Sequence, residues 1–132
     1  MRFLGLFAFF VLSLTSVKAG EKLKSAQIEA VLNDSTAWYI PLGPTSARQY
    51  FHKNGETPYV DAGGGKTYGE WTVRGDQYCS IWPPSDHWSC FDLEESALPD
   101  GRPTFTFVSG GGGKRYEAVF KSGKHIDQAW GE

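Results

Sequence analysis

Basic clusters are missing from this chain. Lysine and arginine total 13 against 15 acidic residues and form no run or stripe. Nucleic acid and anionic membranes both attract proteins through clustered Lys and Arg, so neither is an expected partner. Cysteine is almost absent as well, with Cys79 and Cys90 the only two. Their spacing is not the Cys-x-x-Cys of redox enzymes, and no cysteine follows the apolar N-terminal stretch to carry a lipid anchor. No Gly-x-Ser-x-Gly elbow occurs, which removes one common route to a hydrolase. No apolar run reaches the roughly 20 residues that cross a bilayer.

What is present begins with a three-part leader. Arg2 is a short positive start, residues 3–14 are apolar apart from Gly5 and Ser13, and residues 15–19 are short and polar, with Val17 and Ala19 before the cut. That is the pattern of a secretory signal peptide. Residues 1–19 are therefore expected to be removed, leaving a single domain over 20–132 in a periplasmic or secreted location, with no integral membrane segment after cleavage. Losing Arg2 and Lys18 leaves 11 basic residues against 15 acidic ones.

Aromatics dominate what remains. Four of the nine Phe lie in the leader; beyond it stand five Phe, five Trp and six Tyr, among few Leu and Ile. Aromatic content of this kind with many Gly favours sheet over helix bundle. One helix is predicted, with Ser25 as its cap, Ile28, Val31 and Leu32 on one stripe, and Asn33-Asp34 at its end. Leu23 stands ready to pack back on its first turn. The rest reads as short strands over 36–40, 48–52, 57–61, 70–74, 77–82, 87–92, 104–109 and 115–120, separated by turn residues. The fold class is mostly β: an antiparallel up-and-down meander of about eight strands, closing into a calycin-like barrel or half-barrel, with one N-terminal helix. Closure would remove exposed edges. A flatter sandwich is the alternative.

The turns predict registers. Asn54-Gly55 read as a two-residue turn places Lys53 opposite Glu56, Phe51 opposite Pro58 and Tyr50 opposite Tyr59. Gly75-Asp76, read as the related turn with Gly first, places Val73 opposite Tyr78 and Trp71 opposite Ser80. A four-residue loop over 83–86 places Ile81 opposite Trp88 and, further in, Cys79 opposite Cys90. Alternation then puts Trp71, Val73, Tyr78, Trp82 and Phe91 on a core face. Glu70, Thr72, Arg74, both cysteines, Ile81 and Trp88 share a half-polar face that the helix could cover. Phe105, Phe107, Tyr116, Ala118 and Phe120 extend the apolar side.

Several constellations bear on chemistry. In an exported chain Cys79 and Cys90 are expected to form a disulfide. The alternatives are free thiols or a metal site with His87, but His87 falls on the opposite face and a fourth ligand is missing. No metal and no cofactor is expected. Gly63-Gly64-Gly65-Lys66-Thr67 mimics the end of a phosphate-binding loop, yet Val60 stands where that motif needs its first Gly. Gly110 to Gly113 with Lys114 repeats the short pattern. Both are read as hairpin loops, or as a pair of flaps at one end of a barrel. Asp86, His87 and Ser89 have triad residue types, but an extended strand spaces His87 and Ser89 about 6.5 Å apart, too far for activation. His52 and His125 are isolated. Asp92, Glu94 and Glu95 read as a solvated turn. Asn33-Asp34-Ser35 is a glycosylation sequon, relevant only in a eukaryotic source.

Gly69-x-Trp71, then Tyr78-Cys79-x-x-Trp82, then Trp88-x-Cys90, preceded by a short helix and a hairpin with Tyr50-Phe51 and Asn54-Gly55, resembles a family of small exported proteobacterial domains. The likeness covers most of residues 23–92 and implies export, a disulfide and a β-rich fold, but no reaction. The expected function is non-enzymatic binding of a small apolar or glycan-like ligand. Trp88, Trp38, Tyr39, Tyr50 and Tyr59 are the candidate ligand-binding residues, since exposed Trp and Tyr stack on rings and sugars. The alternative is an interaction or inhibitor module that engages another exported protein.

Overall fold

The structure is a computed structural model that describes residues 20–96 and 101–132; the leader over 1–19 lies outside the described residues. One helix, α1 (Ser25–Leu32), precedes eight strands: β1 (Ser35–Tyr39), β2 (Arg48–Phe51), β3 (Glu56–Val60), β4 (Lys66–Val73), β5 (Tyr78–Ile81), β6 (Ser89–Ser96), β7 (Thr104–Ser109) and β8 (Arg115–Ser122). Each strand pairs antiparallel with the next, and β8 returns to pair with β1, so the sheet is a closed barrel. Neither the half-barrel nor the sandwich is formed. Among the described residues no helix is long and apolar enough to cross a membrane.

The β4–β5 and β5–β6 registers match those the turns predict: Val73 faces Tyr78, Trp71 faces Ser80, and Cys79 faces Cys90. The two cysteines are disulfide-bonded. Gly75 and Asp76 both have positive φ, at 52° and 55°, so the tight turn is type I′ and not the Gly-first type II′.

The β2–β3 hairpin departs from expectation by one residue. His52 N–H bonds the Glu56 carbonyl and Gly55 N–H bonds the His52 carbonyl. The loop is therefore three residues, Lys53 to Gly55, with Gly55 at φ 95°. This is a type I turn closed by a left-handed bulge, for which Asn-Gly serves as well as for the two-residue turn. Gln49, not Tyr50, now faces Tyr59. A one-residue slip moves side chains to the other face, so Gln49 and Tyr59 point inward and Tyr50 outward.

Three strands outrun their predicted spans, β8 by running on to Ser122. β4 begins at Lys66, because Thr67 and Gly69 continue the inward alternation. β6 continues to Ser96, so Asp92, Glu94 and Glu95 lie in a strand and not in a turn. Asp92 pairs with Lys22 (3.1 Å) and Glu94 with Arg115 (3.0 Å). Past the start of β5, the lower part of β6 gains a different neighbour: Leu23 N–H bonds the Leu93 carbonyl and Gly20 N–H the Glu95 carbonyl.

The helix closes one end of the barrel instead of covering the half-polar outer face. Leu23, Ile28 and Leu32 join the inward Ala37, Phe51, Trp71, Tyr78, Leu93, Phe107, Ala118 and Phe120 in one buried cluster. Ser25 is the first helical residue, not the cap, which is Lys24. The acceptor that Ser25 needs comes from the β4–β5 turn: Asp76 Oδ1 takes its N–H (2.7 Å) and its hydroxyl (2.9 Å), while Asp76 N–H bonds Ser25 Oγ. These hydrogen bonds hold the Asp76 carboxyl below its ordinary value of 3.8.

After β8, residues 123–132 cross the outside of β1–β3. Trp38 Nε1 donates to the Gln128 carbonyl (3.1 Å), Trp130 meets the Trp38 ring edge-on at 5.6 Å, and Ile126 packs on Tyr50 and Val60. Arg48 Nε donates to the Ile126 carbonyl, and Lys66 pairs with Asp127 at 3.1 Å.

Candidate functional site

Opposite the helix the barrel is open. The loops at this end span 40–47, 61–65, 82–88 and 110–114. Both glycine-lysine segments therefore belong to one rim. Asp61 cinches the first, accepting from Gly63 N and Gly65 N at 2.9 Å each, and Ser109 Oγ accepts from Lys114 N in the second.

Beneath the rim lies a cavity of about 460 Å³, within the range of small-molecule sites. Its position follows from the inward side chains. At the helix end these are large: Phe51, Trp71, Leu93, Phe105 and Phe120. Towards the rim, β4 and β5 contribute Thr67, Gly69 and Ser80, which leave volume unfilled. Gly69 has a specific task. A Cβ there would lie 2.6 Å from the Trp82 ring and 2.7 Å from the Ile81 carbonyl oxygen, so its bare backbone is what lets the indole lie along the wall.

The remaining wall is aromatic. Tyr39, Tyr59, Trp82, Tyr78, Phe91, Phe107 and Tyr116 line it. Tyr39 and Tyr59 are 6.2 Å apart, Tyr59 meets Trp82 edge-on at 6.0 Å, and Tyr78 meets Phe107 at 5.2 Å. Arg115 and Glu117 border the mouth, but alternation turns them outward, where Arg115 pairs with Glu94 and Glu117 accepts from Thr106 Oγ1 (3.5 Å).

At the floor, buried Gln49 spends its whole amide on protein. Its Oε1 accepts from the Tyr39 hydroxyl (2.6 Å), and its Nε2 donates to Thr57 Oγ1 (2.9 Å) and to the Tyr78 hydroxyl oxygen (3.0 Å). Ser80 Oγ accepts from Trp82 Nε1 (3.1 Å). Burial raises the Tyr39 phenol well above its ordinary value, and the neighbouring Tyr78, Tyr59 and Tyr116 add to the effect. Burial likewise pushes Tyr78 up to about 12, against an opposing pull from its Ser80 and Gln49 hydrogen bonds. Tyr59 is raised by burial, then by Asp61 and Tyr116. These three phenols stay protonated at neutral pH and face the cavity as uncharged hydrogen-bonding groups.

Of the five candidate binding residues, the cavity brings together Tyr39 and Tyr59. Trp38 and Tyr50 point outward and are buried at 3% and 5% exposure beneath the C-terminal segment, so neither offers a surface to a ligand. Tyr50 donates to Asp34 Oδ1, and burial followed by that bond pushes its phenol up to about 12. Trp88 is 37% exposed on the outer wall, with the Arg74 guanidinium 5.2 Å from its ring centre. Tyr78, Trp82 and Phe91, expected only as core, also line the cavity, as does Tyr116. Gln49 had no sequence signal: it becomes a floor residue only through the bulged turn. His87 and Asp86 pair with each other at 3.2 Å, both side chains standing out in solvent. The cysteines are bonded to each other and have no thiolate to offer a metal, and no cluster of three or more metal-ligating side chains occurs among the described residues.

No protein-family description matches this chain. No curated protein and no solved structure matches it either.

Proposed function

We propose that this protein is an exported binding protein that holds a small apolar or glycan-like ligand in the open mouth of its barrel. The observation that carries the reading is the aromatic cavity of about 460 Å³, open at one end and stoppered by α1 at the other. Apolar walls with a few convergent polar groups are the usual composition of a small-molecule site. The wall offers ring faces and neutral hydroxyls, which suit retention. The disulfide fits an oxidising compartment, in keeping with a periplasmic or secreted location.

Native mass spectrometry of protein purified from its own host tests this. A retained small-molecule mass is expected on the parent, and it should be lost from Trp82→Ala or Tyr59→Ala protein that remains folded. Bare protein mass from the parent, with no change in Trp82 fluorescence or indole resonance on adding host envelope extract, would count decisively against it. The alternative, an interaction or inhibitor module, rests on the exposed outer-wall Trp88 and on Tyr68, which is 67% exposed on β4.

A further inference from the structure

The hydroxyls of the cavity differ in what each has left to give. Tyr39 commits its proton to Gln49 Oε1 and so presents only oxygen lone pairs. Tyr78 is the reverse case. Its oxygen receives the Gln49 Nε2 proton at 3.0 Å, so what the hydroxyl has left to offer a guest is its own proton. The side chain lines the cavity, and the hydroxyl can turn that proton toward an acceptor lodged there. The floor thus sets a donor, Tyr78, beside the lone pairs of Tyr39.

The walls above that donor are flat rings. Tyr39, Tyr59, Tyr78, Trp82, Phe91 and Phe107 stand around the cavity, in edge-on and tilted contacts that leave ring faces and edges for a planar guest. The ionised residues that border the cavity, Arg115 and Glu117, stand at its mouth and turn outward, where Arg115 is already paired with Glu94. A charged group carried down to the floor would lose its hydration without meeting a counter-charge there. A sugar fares poorly at the floor as well. It brings many hydroxyls, yet the one amide there has both ends taken, and each buried hydroxyl left unpaired weakens binding.

We infer that the cavity selects a neutral, flat ring compound that enters with a hydrogen-bond acceptor leading, a carbonyl or ether oxygen, and docks it on the Tyr78 hydroxyl. This rests on the binding reading given above and narrows its ligand from apolar or glycan-like to aromatic with one acceptor.

Four probes test it on the full exported domain: 2-acetylnaphthalene, 2-ethylnaphthalene, 2-naphthoate and N,N′-diacetylchitobiose. The readout is the indole N–H resonance of Trp82. Trp38 beneath the C-terminal segment, Trp130 within that segment, and Trp88 on the outer wall serve as internal controls. The ketone should shift Trp82 saturably and bind about fivefold more tightly than the ethyl compound, the effect of one net hydrogen bond. The carboxylate should bind at least tenfold more weakly than the ketone. Tyr78→Phe should erase the preference for ketone over ethyl, read as the ratio of the two affinities in the same variant. Should that variant not fold, the wild-type series still decides. Equal affinity for ketone and ethyl, tighter binding of the carboxylate, or a preference that survives Tyr78→Phe overturns the inference. If only the disaccharide moves Trp82, this inference falls and the binding reading stands. If no probe moves it, this inference falls, and the binding reading is judged separately by the retained-mass experiment.

Discussion

A single methyl group added at Gly69 should deform the cavity wall measurably. A Cβ at that position would lie 2.6 Å from Trp82 Cε3, 2.8 Å from Trp82 Cδ2 and 2.7 Å from the Ile81 carbonyl oxygen. Carbon atoms pack best at about 3.5–4.0 Å, so the indole must retreat by about 1 Å. It retreats into the cavity, toward Tyr59. The Ile81 oxygen is main chain, so β5 must shift too. Overpacking of this kind costs about 1–3 kcal/mol. Against it stands a gain of roughly 0.5–1 kcal/mol from replacing a strand glycine with alanine. Because one of the contacts is with main chain that cannot rotate away, the cost falls at about 2–3 kcal/mol, and Gly69→Ala is expected to lose about 1–2.5 kcal/mol net. Urea unfolding of parent and variant, followed by circular dichroism with m-values compared, measures the loss. The Trp82 indole resonance reports the displacement independently. Adding Trp82→Leu should recover part of the loss, since it removes the ring contact and leaves the carbonyl contact. A Gly69→Ala protein as stable as its parent, with the Trp82 resonance unmoved, would refute this packing of Trp82 on Gly69.

Two further outcomes are expected. Cys79→Ala with Cys90→Ala releases a crosslink of sequence separation 11 and should lower stability by about 3 kcal/mol through the freed unfolded chain, read as a drop in the urea midpoint; no drop would mean the crosslink restricts nothing in the unfolded ensemble. The second concerns Asp76, whose folded carboxyl is held below 3.8 by Ser25. The unfolded chain takes up that proton first, so the stabilisation is complete above about pH 4 and is lost as pH falls through the lower folded value. Asp76→Asn preserves a residue that tolerates the left-handed backbone found there. It should flatten this part of the acid limb in thermal melts run between about pH 2 and 6; identical limbs in the two proteins would rule out the Ser25–Asp76 anchor.

What could be read from the sequence was local. The β5–β6 hairpin was legible because a short Pro-rich loop and two cysteines constrain the same register, and β7–β8 because Phe105, Phe107, Ala118 and Phe120 alternate without interruption. The strand count followed from the turn spacing. The β2–β3 register was not legible, because Asn54-Gly55 satisfies two turn geometries one residue apart, and that residue decides whether Gln49 or Tyr50 enters the barrel. Ser25 looked like a cap because serine suits caps; its true partner lies 51 residues away. Trp38 and Tyr50 looked available because the strand pattern says nothing of what covers an outward face. Residues 123–132 carry no periodic signal, yet they remove both from solvent. Half of the cavity was visible as core aromatics. That these leave room, instead of filling the barrel, depends on Thr67, Gly69 and Ser80, small residues whose effect shows only once eight strands are closed.

The plug formed by Ile28 and Leu32 makes the barrel a cul-de-sac and not a corridor. Whatever passes the rim must back out by the same doorway, and a second visitor cannot push the first one through. Residence would then be governed by the four rim loops alone, while the sealed end governs how well the vessel holds its shape. The two could be altered separately: rim residues to change how fast a guest comes and goes, plug residues to change the robustness of the container.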